Sequence, residues 1–285
     1  TNPLAENYNP DATVDDSSCT GSIYEDYSLS LVGENDYVDC GASSGLSLST
    51  SFTINLNIFP TSLPNSSNAS DWEVILNKEG EYEIGISPSG EILFAIAASP
   101  GWGETYTNIY PPLNDWTEIS LTYDNNQVIV YNNQDLVSTF DFTGPIGDAH
   151  ESEDALWFGW RELWFNGSSD RDYNGLIDNV SIWNITLTSN QIESNIFDNL
   201  SGSEEGLVGY WNFNEGDGAT VYDLSGNGND GTIYGAEWFV DSYGCSIEPD
   251  ACNYEEGGNF NNQICLYDDC EGVCGGDVWA DNCGV

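Results

Sequence analysis

SFTINLNIF, residues 51–59, sets an apolar residue at every second position with polar residues between. Successive side chains of an extended strand point to opposite faces, so this alternation describes a strand with one buried face and one polar face. The same period runs through EYEIGIS (81–87), EILFAIA (91–97), WTEISLTYD (116–124) and QVIVYNN (127–133), with PSG and DNN at the corners between neighbouring runs. Short strands at this spacing predict an all-β fold of two packed sheets. One helix is expected, over TSNQIESNIFDN (188–199), where Thr188 caps the first turn and Gln191, three residues on, completes a capping box.

The chain of 285 residues is 39% hydrophobic and 13% aromatic, ample for a buried core. Against 48 Asp and Glu stand three basic residues, Lys78, Arg161 and Arg171, a formal charge of −45. Such a chain repels phosphate and anionic lipid, which sets aside nucleic acid and membrane surfaces as partners. Divalent cations held between carboxylates are a direct way of relieving the self-repulsion. No apolar run approaches the ~20 residues that span a bilayer, so membrane insertion is not expected. The sequence has no Met, so Thr1 is not a translation start and a processed piece of a longer chain is expected. Eight Cys, six of them between Cys245 and Cys283, suit disulfides in an oxidising exterior, hence a secreted or cell-surface location.

The two ends repeat each other. Pro3, Ala5, Asn7, Tyr8 and Cys19 recur at Pro249, Ala251, Asn253, Tyr254 and Cys265, a constant offset of 246. The second copy opens with Cys245, and the position matching it falls before Thr1, which leaves Cys19 without its intra-repeat partner. Pairing of Cys19 with Cys40 is an alternative. These stretches, with DCEGVCGGDVWADNCGV (269–285), resemble a short acidic Cys-rich module that recurs in tandem in large secreted proteins of marine bacteria. The organisation read from this is a partial Cys-rich repeat (1–20), a sandwich domain (21–242) and a Cys-rich module (243–285). Cys19, Cys40, Cys245, Cys252, Cys265, Cys270, Cys274 and Cys283 are the disulfide candidates.

Between these ends, SLSLVGENDYVDCG, SFTINLNIFP, WTEISLTYDNNQVIVYNNQDLV, NGLIDNVSIWNITLTSNQI and GLVGYWNFNEGDGATVYDLSGNGNDGTIYGAEW together resemble the strands of a laminin-G-like, concanavalin A-like jelly roll. In many relatives the WNF…SGNGNDGT segment precedes the first strand; here it closes the domain, a permuted boundary. The resemblance implies calcium at the rim of the sandwich, a cation that takes six to eight oxygen ligands. It makes Asp223, in the Gly-rich loop DLSGNGNDGT (223–232), one half of such a site together with Asn227 and the loop backbone. Asp36 and Asp178 are its expected partners. A second candidate is DRDYNG (170–175), where Asp170, Asp172 and Asn174 stand at positions 1, 3 and 5 of an EF-hand-like loop; position 12 is Ser181 rather than Glu, so it is no EF-hand.

Loop aromatics are the usual platforms for sugar rings. SPGWGETY offers Trp102 and Tyr106, and WRELWFNGSSD offers Trp160, Trp164 and Phe165, while Trp157, Phe158 and Trp160 sit in a strand-like run expected to be largely core. Retaining glycosidases of this architecture carry two Glu flanking an Asp on one strand, and no E-x-D-x-x-E or E-x-D-x-E segment occurs here. His150 is the only His and lacks a nucleophile-elbow context, so no catalysis is expected. Of six N-x-[ST] sequons, Asn65, Asn68, Asn166 and Asn199 are the glycosylation candidates, whereas Asn179 and Asn184 fall in a predicted strand. The expected function is a secreted, calcium-binding, non-catalytic module of a larger adhesin or extracellular filament, in contact with adjacent copies or domains and with glycans. A purely structural filament subunit and an accessory domain of a secreted glycoside hydrolase are the alternatives.

Overall fold

The computed structural model describes residues 25–32, 35–66, 71–149, 155–161, 172–197 and 200–242. Both Cys-rich end modules lie outside these residues, and with them all Cys except Cys40. In chain order the elements are β1 (Glu25–Leu31), β2 (Tyr37–Asp39), β3 (Phe52–Pro60), β4 (Glu73–Lys78), β5 (Tyr82–Ile86), β6 (Ile92–Ile96), β7 (Thr105–Tyr106) and β8 (Thr117–Tyr123). There follow β9 (Gln127–Asn132), β10 (Asp135–Asp141), β11 (Leu156–Phe158), β12 (Gly175–Trp183), helix α1 (Ser189–Phe197), β13 (Leu207–Trp211), β14 (Thr220–Val221), β15 (Gly231–Tyr234) and β16 (Glu237–Ser242).

They form two antiparallel sheets. The first runs β10-β9-β8-β3-β12-β1-β16, with β13 also on β12; the second runs β14-β15-β2-β11-β4-β5-β6-β7. Strand β3 explains the layering: Phe52, Ile54, Leu56 and Ile58 are all at most 1% exposed and join the core, while Thr53, Asn55 and Asn57 face the other way. From the second sheet Val38, Ile84, Phe94 and Phe158 meet them, and Trp211 packs edge-on against Phe158 at 5.1 Å. The two-sheet all-β fold expected from the alternation is the one observed.

Strand β12 shares one edge between two partners, β1 along Gly175–Ile177 and β13 along Val180–Trp183. Its register against β3 jumps from Asp178↔Asn57 to Ser181↔Asn55, a bulge of two residues against one. Asn179 sits in that bulge at φ +48°, a left-handed conformation that Asn tolerates better than most residues. Helix α1 covers part of the outer face of the first sheet, where Ile192 packs with Trp183, Leu187, Leu207, Tyr210 and Tyr131 in a second, smaller core. Its start is the expected capping box: Gln191 N donates to Thr188 Oγ1 at 3.4 Å and Thr188 N donates to Gln191 Oε1 at 3.0 Å.

The outer face of the second sheet has one point of very close approach. At Gly85 a Cβ would lie 2.5 Å from the Glu73 carbonyl oxygen and 2.5 Å from the Trp72 indole, whereas one on Gly103 would meet nothing within 4 Å. Gly85→Ala is therefore expected to lose about 1–3 kcal/mol through overpacking, and Gly103→Ala close to none. Thermal denaturation of the two variants checks this, at about 2–4 °C per kcal/mol for a domain of this size.

Candidate functional site

Strand pairing sorts the second sheet's side chains by face. Leu156 and Phe158 point into the core, so Trp157 between them points outward, opposite Asp39 of β2 and Asn77 of β4. On the same outer face Tyr37 of β2 stands directly opposite Tyr234 of β15. Their rings stack at 4.7 Å and 17°, Trp160 stacks on Tyr37 at 4.9 Å and 22°, and Trp157 meets Trp160 edge-on at 5.3 Å. Tyr234 is 44% exposed at the open end of this row and Trp157 is buried at the other. Burial pushes the Tyr37 hydroxyl above its usual range, with the Tyr234 hydroxyl and the Asp39 carboxylate adding to it. The hydroxyl thus stays a neutral donor at ordinary pH.

What fixes the row is the residue after Trp160. The Arg161 guanidinium bridges Glu79 Oε1 at 2.7 Å and Glu83 Oε2 at 3.3 Å, and both carboxylates are 1% exposed. A shared guanidinium with several donors is the arrangement in which burying such charges is least costly. Glu79 also accepts from Asn77 Nδ2 at 3.3 Å, and nearby Lys78 Nζ lies 3.0 Å from Glu81 Oε1. The chain leaving β11 is thereby pinned to β5, and Trp160 is held over the sheet. Asp39 and Thr232, paired across β2 and β15 beside the rings, supply oxygen atoms at the row's flank.

Chemically this is a column of stacked rings on a sheet surface, its end face on Tyr234 open and its flank bordered by oxygen acceptors and hydroxyls. Apolar C–H faces of a sugar ring stack on such rings, and its hydroxyls bond to the border. Sequence reading missed Tyr37 and Tyr234, and counted Trp160 both with the loop platform and with a strand-like run expected to be largely core. The recoverable signal was parity: in DYVDC, Val38 is the inward residue, which turns Tyr37 outward. Of the expected platform residues, Tyr106 lies on this same outer face, paired with Leu93 of β6. It is six strands from Tyr234, about 29 Å at the usual inter-strand spacing. Trp102 is half-buried in the β6–β7 loop, and Trp164 and Phe165 lie outside the described residues.

The expected calcium set is not brought together. Asp223 lies beyond β14, near the Gly231 end of β15, where Oδ1 accepts the backbone N–H groups of Tyr210 and Ser225 and Oδ2 accepts the backbone and side-chain N–H groups of Asn229, all at 2.8–3.0 Å. Four donors on one carboxylate staple β13 of the first sheet to the β14–β15 turn of the second. Asn227 points its amide inward as a donor, to the carbonyls of Leu207 and Val208. Asp36 lies at the other end of the β2–β15 ladder, its Oδ1 where a Cβ on Gly235 would fall. Asp178 is on the outer face of the first sheet, accepting from Asn179 N at 2.7 Å and Asn179 Nδ2 at 2.6 Å. Among the described residues no three His, Cys, Asp or Glu are grouped to hold a metal ion. Asp36, Asp178 and Asp223 therefore do not fit one calcium site, because each carboxylate sits in a different part of the sandwich.

The second candidate loop is tied to its neighbours as well. Asp172 Oδ2 accepts from Asn35 N at 2.8 Å, Asn174 N donates to Glu73 Oε2 at 3.2 Å, and Asp170 lies outside the described residues. Cys40 is a free thiol 4% exposed, packed in the core, and burial pushes its pKa well up; it is not a disulfide partner. Asn65 is exposed, as is Asn184, which follows β12 rather than lying in it, while Asn179 is half-buried with its amide on Asp178. Asn68, Asn166 and Asn199 fall outside the described residues.

Residues 32–193, more than half of the chain, match the family model described as the concanavalin A-like lectin/glucanases superfamily. A protein from Bacteroides ovatus provisionally assigned to carbohydrate binding superposes with a TM-score of 0.61 at 20% identity, over 76% of this chain and 60% of its own. This chain thus spans less than two thirds of that protein. A heptameric pentraxin from Limulus polyphemus aligns over 60% of this chain and 81% of its own, at TM-score 0.44 and 13% identity. Domain 4 of an extracellular arabinanase from Geobacillus stearothermophilus, solved with arabinotriose, aligns over 53% of this chain and 68% of its own, at TM-score 0.38 and 22% identity. No curated protein matches the sequence.

Two expected outcomes follow from the carboxylates. Asp223→Ala removes four hydrogen-bond acceptances and is expected to cost about 2–4 kcal/mol, by the same amount in millimolar calcium and in chelator, read by thermal melts. Burial, only partly offset by the Asn174 amides, raises the Glu73 carboxyl from about 4.5 to about 7. A raised carboxyl pKa means the folded state holds the proton more tightly, so this stabilisation is complete below about 4.5 and is lost as pH rises to about 7. Glu73→Gln is expected to flatten the fall in melting temperature across that window, measured by melts over a pH series.

Proposed function

The chain belongs to the concanavalin A-like lectin/glucanase superfamily, and from that premise we propose that it is a non-catalytic carbohydrate-binding domain of a secreted, larger cell-surface protein. The glycan lies along the outer face of the second sheet, stacked on the open face of Tyr234 and running over the outward edges of Tyr37 and Trp160. The observation that carries this reading is the row itself: three stacked rings on the outward side of a sheet, away from the core, with one of them 44% exposed. The name given to the Bacteroides ovatus protein, whose fold is the same, agrees with it. Of the acids beside the row, Glu79 and Glu83 are buried on Arg161, so neither is available to protonate a glycosidic oxygen, and Asp39 accepts from Gly41 N at 2.8 Å. The repeated Cys-rich ends favour a place in an adhesin or filament, next to further copies or domains. The reading requires no calcium, since the described carboxylates nearest the row are engaged with protein donors.

Printed glycans with wild-type protein, Tyr234→Ala and Trp160→Ala test it, run in calcium and in chelator. The expected result is a neutral-glycan signal, weakened about tenfold or more by each substitution, which corresponds to about 1.4 kcal/mol. Tyr234→Ala, at an exposed ring, is expected to leave the melting temperature unchanged. No glycan bound, or binding indifferent to both substitutions, contradicts the proposal and favours a structural subunit.

A further inference from the structure

The outer face of the first sheet holds a cleft of its own, of ≈ 100 Å³, between the sheet and helix α1. Its floor is set by register. Ser181 of β12 and Asn55 of β3 lie side by side in one row, and Asn57 of β3 and Glu118 of β8 in the next. Asn195 of α1 and Tyr210 of β13 form the wall, together with the apolar Ile192 and Leu200.

The hydrogen bonding of the floor is unfinished. Asn55 is 9% exposed; its Nδ2 donates to Ser181 Oγ at 3.0 Å, while its Oδ1 is buried without a partner. Asn195 Nδ2 is likewise buried without a partner. Ser181 Oγ accepts a second bond from Trp183 Nε1 at 3.0 Å, which leaves its own proton to be donated. The cleft thus offers one unmet acceptor, one unmet amide donor and a hydroxyl proton, beside an apolar wall. A buried polar group left unmet costs its desolvation, so a ligand that completes the set gains that back. Hydroxyl groups both donate and accept, and a ring carrying several, with C–H faces between, matches all parts of the site. The unmet groups are uncharged and the chain is strongly acidic, which disfavours anions. Burial holds the Glu118 carboxyl up to about 7, against a weaker opposing bond from Ser120, so it is no fixed anion that would select a cation.

We propose that this cleft is a second binding site, independent of the aromatic row, for a single neutral sugar ring or similar polyol held by Asn55, Ser181 and Asn195. With sites on the outer faces of two different sheets, one domain can engage two glycan strands and cross-link them. Both sites are on the same compact unit, Ser28–Phe239.

The test is a nitrogen-15 NMR titration of the full chain with D-glucose, D-galactose, D-mannose, D-xylose and L-arabinose, with glucuronate and glucosamine as charged comparators. The expected result is that at least one neutral sugar gives saturable shifts of the Asn55 and Asn195 side-chain amide signals, at millimolar affinity. Asn195→Ala, at a half-exposed helix position, is expected to weaken these shifts about tenfold, and Tyr234→Ala to leave them unchanged. Should Asn195→Ala lose its fold, the wild-type shift map decides alone. Absence of saturable shifts at these amides, shifts indifferent to a folded Asn195→Ala, or tighter binding of glucuronate or glucosamine than of any neutral sugar overturns the proposal. Failure of the aromatic-row reading would show instead on the printed glycans and leave these signals untouched.

Discussion

A chain with 48 acidic and three basic side chains must hold most of its acids without cations, and that shortage organises the structure. Many of the described carboxylates are met by uncharged N–H and O–H donors instead. Asp223 takes four, Asp124 takes the backbone of Asn126 and Gln127, Glu91 takes Asn108 N and the Tyr110 hydroxyl, and Glu204 takes Ser201 through both backbone and side chain. This accounts for the Asn- and Gly-rich loops: Asn brings extra N–H groups, and Gly226 and Gly228, at φ +76° and +77°, turn the backbone so that its amides face Asp223. Where donors run short the acid keeps its proton, as Glu73 and Glu118 do up to about neutral pH. Lys78 and Arg161, by contrast, are both spent on buried carboxylates of the β4–β5 hairpin, Lys78 on Glu81 and Arg161, at the end of β11, on Glu79 and Glu83.

That expenditure has a functional consequence. An ion bridge at a sheet's outer face contributes little net stability once desolvation is counted, but it fixes geometry. Arg161 anchors the chain next to Trp160, and Trp160 completes a stack that Tyr37 and Tyr234 alone would leave two rings long. The opposite arrangement holds on the first sheet, where neither described cation, Lys78 or Arg161, is placed and the outward Asn and Ser side chains are left partly unmet beneath α1. One face therefore presents stacked rings and the other unmet amide and hydroxyl groups.

Strand parity made the architecture legible: β3, β5, β6, β8 and β9 fall within a residue of the runs that alternate in sequence, and α1 starts at its capping box. The site was less legible because the same parity was not carried across to β2 and β15, whose short runs put Tyr37 and Tyr234 on the outer face only once their pairing is known. Asp223, expected as a calcium ligand, is met here by four protein donors. A Gly-rich Asp/Asn loop looks the same whether its oxygens meet a cation or its own amides, and only the positions of Tyr210 N and Asn229 distinguish the two. Cys40 was counted with the disulfide candidates although it sits at an inward position next to β2, where a thiol behaves as a small apolar side chain.

The central claim is that the stacked row on the second sheet receives a sugar ring. A crystal structure of the chain with the tightest glycan from an array tests it most directly. The expected result is a ring lying flat on the open face of Tyr234, its hydroxyls reaching Asp39 or Thr232. A glycan bound with that row bare would contradict it.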